Sequence, residues 1–189
     1  MINFYAYLSR MKHIKRWGLM KNTEQENIKE HTLDVAVIAH ALALIGNKYF
    51  AKNYNEEHIM ALAVFHEAGE VITGDLATPI KYYNPEIKSA YKKIEDVAVK
   101  KLLSMLPDEL KPDYEALMCD RGEDYKLVKA ADKLSAYIKC IEEVKSGNLE
   151  FVKAKANLEK TVREIQLDEV QFFLNECIEG YELTLDELN

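Results

Sequence analysis

The sequence predicts an all-α protein, on three observations. Apolar residues recur every three or four positions over long stretches, which is the period of a helix with one buried face. Glycine and proline are scarce, with 7 and 4 copies in 189 residues, whereas a strand-rich fold of this size needs many turn residues. No internal repeat or linker composition interrupts the chain. We therefore predict a single helical domain over residues 1–189.

The first half of the chain predicts three helices. A short amphipathic segment carries Phe4, Leu8 and Met11 at helical spacing. A long helix follows, and Gly46-Asn47 predicts its end. Its apolar line runs through Ile28, His31, Val35, Ile38, Leu42 and Ile45. The third helix starts near Glu56, places Ile59, Leu62, His66 and Glu70 on one face, and ends in the loop "TGDLATP".

The second half predicts three more helical segments. Asn84-Pro85 is an N-cap followed by a first-turn proline. The helix that it opens carries an inward stripe of Ile87, Tyr91, Ile94, Ala98, Leu102 and Met105. Another helix covers 124–147, and Asp132 borders its apolar stripe. The segment 150–180 is again periodic and then rich in acidic and aromatic residues.

The overall charge and the cysteines exclude several classes of function. A formal net charge of −7 argues against a nucleic acid polymer as the main partner, because phosphate contacts need clustered Lys and Arg. No apolar run approaches membrane-spanning length, and no secretion leader is visible, so we expect no membrane partner. The three cysteines form no CxxC pair, and their odd number suits free thiols in a reducing cytosol. We expect a cytoplasmic protein.

Three of the predicted helices carry ionisable groups at or beside the buried face: His31; His66 with Glu67 and Glu70; and Asp132. An unpaired buried charge is costly, so these groups need compensation. Imidazole and carboxylate are ligands of Zn²⁺, Mn²⁺, Fe²⁺ and Co²⁺, and one shared cation would compensate all of them. The alternative is that each histidine is a hydrogen-bonded core residue and each acid reaches water at the edge of its stripe. Spacing alone leaves both interpretations open.

The stretch "HEAGE" also has a rival interpretation as a zinc-peptidase motif. That motif needs two histidines one helical turn apart, with the intervening glutamate as base. Position 70 is Glu and not His, so the second imidazole is missing. We reject this interpretation.

The ordered set His31, His66-Glu67 and Asp132 resembles the H…HD…D signature of the HD-domain metal-dependent phosphohydrolases. The likeness extends through "LSRMKHIKRWGLM", "ENIKEHTLDVAVIAHALA", "FHEAGEVITGDLATPIKYYN", "YKKIE" and "LVKAADKLSAYIKCIEEVKSGNLEF". Together these segments look like the bacterial 5′-deoxynucleotidases, a small helical branch of that superfamily. The resemblance implies an HD-domain fold and the hydrolysis of 2′-deoxynucleoside 5′-monophosphates to deoxynucleoside and phosphate, without a covalent intermediate.

The resemblance also implies a role for individual residues. His31, His66, Glu67 and Asp132 would hold one divalent transition metal, and Glu70 would be the general acid or base. Arg16 would bind and orient the phosphate. From the residues alone, "KHIKRW" is only a basic helix end. The substrate-binding residues implied are Arg16, Trp17, His66, Asp75, Leu76, Ala77 and Thr78, and the pocket between Trp17 and Asp75 would exclude a 2′-hydroxyl. The family further implies a homodimer.

Two positions depart from the family pattern. Glu67 stands where the family has Asp, so its carboxylate lies about one C–C bond farther from the backbone. Ala77 stands where the family usually has Pro, which makes the loop less constrained. Glu67 leaves open an altered metal preference, another HD-family phosphohydrolase activity, or a non-catalytic nucleotide-binding module with a degenerate metal site.

Overall fold

A computed structural model describes residues 1–77, 80 and 84–188. The helices within these ranges are α1 (Phe4–Leu8), α2 (Ile28–Tyr49), α3 (Glu56–Phe65), α4 (Glu70–Thr73), α5 (Pro85–Leu103), α6 (Lys111–Cys119), α7 (Tyr125–Lys145), α8 (Val152–Arg163) and α9 (Asp168–Glu176). Short 3₁₀ helices cover Ser9–His13, Leu149–Phe151 and Ile178–Glu182. Extended pairing in the described ranges is limited to one isolated antiparallel bridge, between Lys15 and Asn27. The predicted all-α fold class is therefore confirmed.

The chain groups into two compact units. The first comprises residues 1–21, 25–33 and 64–120, and the second comprises 22–24, 34–63 and 121–189. The prediction of one domain over 1–189 stays a prediction. Within the described residues, no helix combines the length and apolar character needed to cross a bilayer.

The first unit packs α1, α4, α5 and α6 around an apolar core. Its buried members are Phe4, Ala68, Leu102, Leu103, Leu106 and Met118. Helix α5 begins as predicted, because the Asn84 side chain accepts a hydrogen bond from the Ile87 N–H at 2.7 Å. Gly69 lies against α5, where a Cβ atom would come within 3.3 Å of Val99. The predicted inward stripe of α5 is wrong at Ile94, which is 54% exposed.

The second unit packs α7 against α8 and the C-terminal elements. Helix α7 matches the predicted segment 124–147 closely. Its buried Glu143 accepts hydrogen bonds from the backbone N–H groups of Thr23 and Glu24 and from the side chains of Lys139 and Asn148. This network fixes the segment 22–24 to α7 within the unit.

The predicted end of the long helix is wrong by a few residues. Helix α2 continues through Gly46 and Asn47 to Tyr49, and the chain leaves it through Ala51 at a positive φ of 51°. Gly46 serves packing instead, since a Cβ atom there would lie 2.6 Å from the Tyr54 ring. Asn47 accepts from the Tyr54 N–H at 2.7 Å and donates to its carbonyl at 2.9 Å. These residues therefore brace the loop after the helix.

The predicted third helix is divided in the structure. Helix α3 ends at Phe65, residues 66–69 form a turn, and Glu70 opens the short α4. In the turn, the N–H groups of Ala68 and Glu70 donate to the carbonyls three residues back. These tighter bonds replace the four-residue spacing of an α-helix, so His66 and Glu70 do not share one continuous helix.

Candidate metal and phosphate site

His31 lies in the first turns of α2, and the sequence there explains why the helix begins where it does. The Asn27 side chain accepts hydrogen bonds from the N–H groups of Lys29 and Glu30 at 3.0 and 3.1 Å. The Glu30 carboxylate returns to the Asn27 N–H at 3.3 Å, which completes a capping box. His31 is 0% exposed, as its place on the apolar line predicts.

His66 and Glu67 lie in the turn after α3 and face His31. The Oε1 atom of Glu67 is 3.6 Å from His31 Nε2 and 3.7 Å from His66 Nε2. The two imidazole rings have centroids 5.7 Å apart. The structure therefore brings together three of the four predicted ligands, which lie in the same compact unit.

These distances fit ligands of one shared ion. They are too long for hydrogen bonds, because a nitrogen–oxygen separation of about 3.6 Å is beyond the reach of that interaction. Two ligands held tetrahedrally at 2.0–2.1 Å from Zn²⁺ lie about 3.3–3.4 Å apart. The ligand atoms of the three residues all lie within 4.8 Å of one another. Two imidazoles and a carboxylate in this arrangement could hold a divalent metal ion.

Arg16 approaches the same carboxylate. Its Nη1 atom donates to Glu67 Oε1 at 3.1 Å and to Oε2 at 3.3 Å. A basic helix end is present in "KHIKRW", since the 3₁₀ helix ends at His13 with Lys12 and His13 in its last turn, but Arg16 lies beyond it in a bend. There the Arg16 N–H donates to the Glu26 carbonyl at 3.0 Å. A guanidinium is thus held beside the predicted metal ligands.

Sequence reasoning missed Glu26. Its Oε2 atom accepts from Arg16 Nε at 3.0 Å and from Trp17 Nε1 at 2.8 Å, and its Oε1 atom is 3.7 Å from His31 Nδ1. Glu26 is 8% exposed although it stands in a polar stretch just before the helix cap. Only the pairing of 14–16 with 26–28 turns it inward, and no periodic signal reports such a pairing.

The other predicted site residues of this unit lie in α4 and in the loop that follows it. Glu70, the predicted acid or base, is buried at the start of α4. Asp75, Leu76 and Ala77 are half-buried in the loop that follows Gly74. The Tyr91 hydroxyl donates to the Gly74 carbonyl at 2.8 Å, which anchors the start of this loop. Thr78 lies outside the described residues.

Asp132 lies in the second unit, on α7, and is 7% exposed. Lys129, one turn earlier, places its Nζ atom 2.8 Å from Asp132 Oδ2. The burial of Asp132 agrees with its predicted place beside the apolar stripe.

Comparison with known proteins assigns the family. Residues 3–181 match the model of the family described as 5′-deoxynucleotidase YfbR-like. The chain belongs to this family. It is 53% identical to the 5′-deoxynucleotidase of Photobacterium profundum over 99% of this chain and 98% of that one. It is 51% identical to a 5′-deoxynucleotidase of Yersinia pestis over 100% and 98%. The predicted family is therefore confirmed.

Solved structures show the same fold at low sequence identity. An HD-domain phosphohydrolase from Listeria innocua has a TM-score of 0.83 at 22% identity, with 95% of this chain and 88% of that one covered. A cyanophage S-2L HD phosphohydrolase bound to dA and one catalytic Zn²⁺ ion has a TM-score of 0.64 at 22% identity, with 93% and 96% covered. The HD-domain fold predicted for this chain is therefore confirmed.

Proposed function

We propose that this protein is a 5′-deoxynucleotidase that hydrolyses 2′-deoxynucleoside 5′-monophosphates to deoxynucleoside and phosphate with one divalent transition metal. One observation carries the proposal. In a chain of this family, the two imidazoles of His31 and His66 flank the Glu67 carboxylate at the spacing of metal ligands. The relatives at 51–53% identity bear the name of this activity.

The metal would be held by His31, His66, Glu67 and Asp132, a set of two imidazoles and two carboxylates that could bind an ion. This set suits Zn²⁺, Mn²⁺, Fe²⁺ or Co²⁺. Glu67 keeps a carboxylate oxygen near both imidazoles despite its longer side chain, which supports retained metal binding. When bound, such an ion neutralises phosphate charge and lowers the pKa of a water ligand toward 7.

Residues of this chain would bind the phosphate and move the proton. Arg16 would direct its guanidinium to the phosphate oxygens, for which its planar fork is suited. Glu70 would accept a proton from the attacking water or give one to the departing 5′-oxygen. Its burial at the start of α4, four residues after His66, supports this role.

The deoxyribose would lie between Trp17 and the loop of Asp75, Leu76, Ala77 and Thr78, with His66 also touching the substrate. Trp17 is fixed through its indole N–H, and Tyr91 anchors the loop at Gly74. A pocket closed on both sides of the sugar would reject a 2′-hydroxyl by its bulk.

The proposal includes a cytoplasmic homodimer without nucleic acid polymer or membrane partners. Leu33 and Val37 support the dimer, since they are exposed one helical turn apart on α2. An interface between subunits would remove this apolar surface from water. Size-exclusion chromatography with light scattering would measure the oligomeric state.

Phosphate release tests the function directly. The purified protein, stripped with EDTA and reloaded with Mn²⁺, Co²⁺ or Zn²⁺, should release phosphate from dAMP and dTMP faster than from AMP. EDTA treatment without reloading should abolish the release. Equal rates on dAMP and AMP would contradict the deoxyribose preference.

The two alternatives predict different results in the same assay. Activity confined to triphosphates or cyclic dinucleotides would place the protein in another HD phosphohydrolase branch. A chain that binds no metal and gains turnover only with Glu67→Asp would be the non-catalytic module with a degenerate site.

A further inference from the structure

Glu26 reaches the site through a short pairing of two extended segments. Lys15 and Asn27 form an antiparallel bridge, and the Ile28 N–H donates to the Ile14 carbonyl at 2.9 Å. This pairing sets the backbone of Glu26 beside that of Arg16. The carboxylate therefore starts next to the guanidinium that it binds.

The Glu26 side chain contacts three predicted functional residues at once. Oε2 accepts hydrogen bonds from Arg16 Nε and Trp17 Nε1, at 3.0 and 2.8 Å. Oε1 faces His31 Nδ1 at 3.7 Å. If Nε2 bound the metal ion on the Glu67 side, the proton of the ring would be on Nδ1 and would face the Glu26 carboxylate.

We propose that Glu26 is a positioning residue that aligns the phosphate-binding Arg16, the sugar-packing Trp17 and the metal ligand His31. The inference rests on the proposed function for the roles of those three residues. Binding Arg16 through Nε leaves its Nη1 group directed to Glu67, on the side where the substrate phosphate would bind. One buried carboxylate thereby couples the phosphate, sugar and metal positions.

The backbone of Trp17 is strained, so other contacts must hold the residue in place. Its φ is +56°, in the left-handed region that non-glycine residues seldom adopt, and such a conformation costs about 1 kcal/mol or more. The hydrogen bond from its indole to Glu26 and the bond from the Met20 N–H to its carbonyl, at 2.9 Å, hold it there. Without Glu26, Trp17 loses the first of these restraints.

Tryptophan fluorescence tests the positioning separately from catalysis, because Trp17 is the single tryptophan of the chain. Glu26→Ala should shift and broaden the emission of the folded protein, since the indole N–H loses its buried acceptor. Glu26→Gln, which keeps one acceptor oxygen, should shift it less. Glu24→Gln is the matched control, with the same change two residues away at an exposed side chain, and should leave the spectrum unchanged.

Steady-state kinetics with dAMP as substrate tests whether Glu26 aligns the substrate-binding residues. Glu26→Ala should raise KM roughly 10-fold and lower kcat less, with Glu26→Gln between it and the wild type. If Glu26→Ala does not fold, the Gln variant decides alone. At least a roughly threefold rise in KM is then expected, because a neutral amide holds Arg16 less firmly than a carboxylate does.

Wild-type emission and wild-type KM in the folded variants would overturn the inference, even if their melting temperatures fall. A wild-type protein that hydrolyses no deoxynucleotide would instead refute the proposed function. The fluorescence comparison of Glu26→Ala with Glu24→Gln would still decide whether Glu26 positions Trp17.

Discussion

Each compact unit holds a glutamate that is largely shielded from water and bonded to a cationic side chain, yet the surroundings of the two carboxylates differ. In the second unit, Glu143 accepts from Lys139 Nζ at 2.6 Å and Asn148 Nδ2 at 2.7 Å, and from the N–H groups of Thr23 and Glu24 at 2.8 and 3.1 Å. Each of its oxygens has two donors at hydrogen-bonding distance. Such an acid stabilises the fold.

In the first unit, Glu67 has a guanidinium at 3.1 Å and two imidazole nitrogens at 3.6 and 3.7 Å. The imidazole distances are too long for hydrogen bonds and suit ligands around a shared ion. The comparison teaches that burial of a charged residue does not by itself identify a site. The spacing of the atoms around it separates a structural acid from a prospective metal ligand.

The largest expected effect is that of His31→Gln on catalysis. Losing one imidazole should lower kcat/KM by at least about 100-fold and reduce the metal content, because an amide is a poor ligand for a transition metal. Phosphate release and elemental analysis measure both. His40→Gln is the control, since His40 lies nine residues along α2 and is rotated by half a turn. Equal loss in both variants would show that the effect is structural.

Glu143→Gln should have the next largest effect, and on stability alone. Removing the charge leaves the buried Lys139 ammonium without its anionic partner, which costs about 3 kcal/mol. Chemical denaturation measures the loss, with the exposed Glu150→Gln as control. The kcat and KM of the folded variant should equal those of the wild type. A loss of turnover would contradict a purely structural role of Glu143.

The comparison of the wild type with Glu143→Gln also predicts how the stability depends on pH. Burial tends to raise the pKa of Glu143, but hydrogen bonds from Lys139, Asn148 and the backbone of Thr23 and Glu24 outweigh it and lower the pKa from 4.5 to about 2. The folded-state pKa lies below the unfolded one, so the stabilisation is fully present above pH 4.5 and is lost as the pH falls toward 2. The stability gap between wild type and Glu143→Gln should narrow over that window in denaturation curves.

Arg16→Lys should have a smaller effect, confined to substrate binding. An ammonium keeps the charge but cannot bind two phosphate oxygens and Glu26 through one planar group, so KM should rise about 10-fold. Steady-state kinetics with dAMP measures it. A fall in kcat at unchanged KM would contradict a phosphate-binding role.

The smallest expected effect is that of Asn84→Ala, a structural change in the same unit as the site. Loss of the N-cap hydrogen bond to Ile87 should cost about 1 kcal/mol in thermal unfolding and leave catalysis unchanged. Asn3→Ala is a matched control, because Asn3 precedes α1 without a capping bond from its side chain. Equal losses in the two variants would contradict the capping assignment.

The local signals of the sequence predicted the helices well, and the ligand types with them. Periodicity identified α2, α5 and α7, and the Asn84-Pro85 pair predicted the start of α5. His31 was predicted on a buried face and is buried. Helix ends were less predictable. Gly46 resembles a helix terminator, but it lies within the helix, where the absence of a side chain makes room for the Tyr54 ring. Only folding creates this contact.

The sequence by itself determined the all-α class, the family and the residue types offered to a metal, because helical period and ligand chemistry are properties of local spacing. Tertiary structure decided the turn that separates His66 from Glu70, and the inward orientation of Glu26. It also decided the distances that set Glu67 between two imidazoles. Those features depend on segments far apart in the chain meeting in space, and no spacing along the chain records such a meeting.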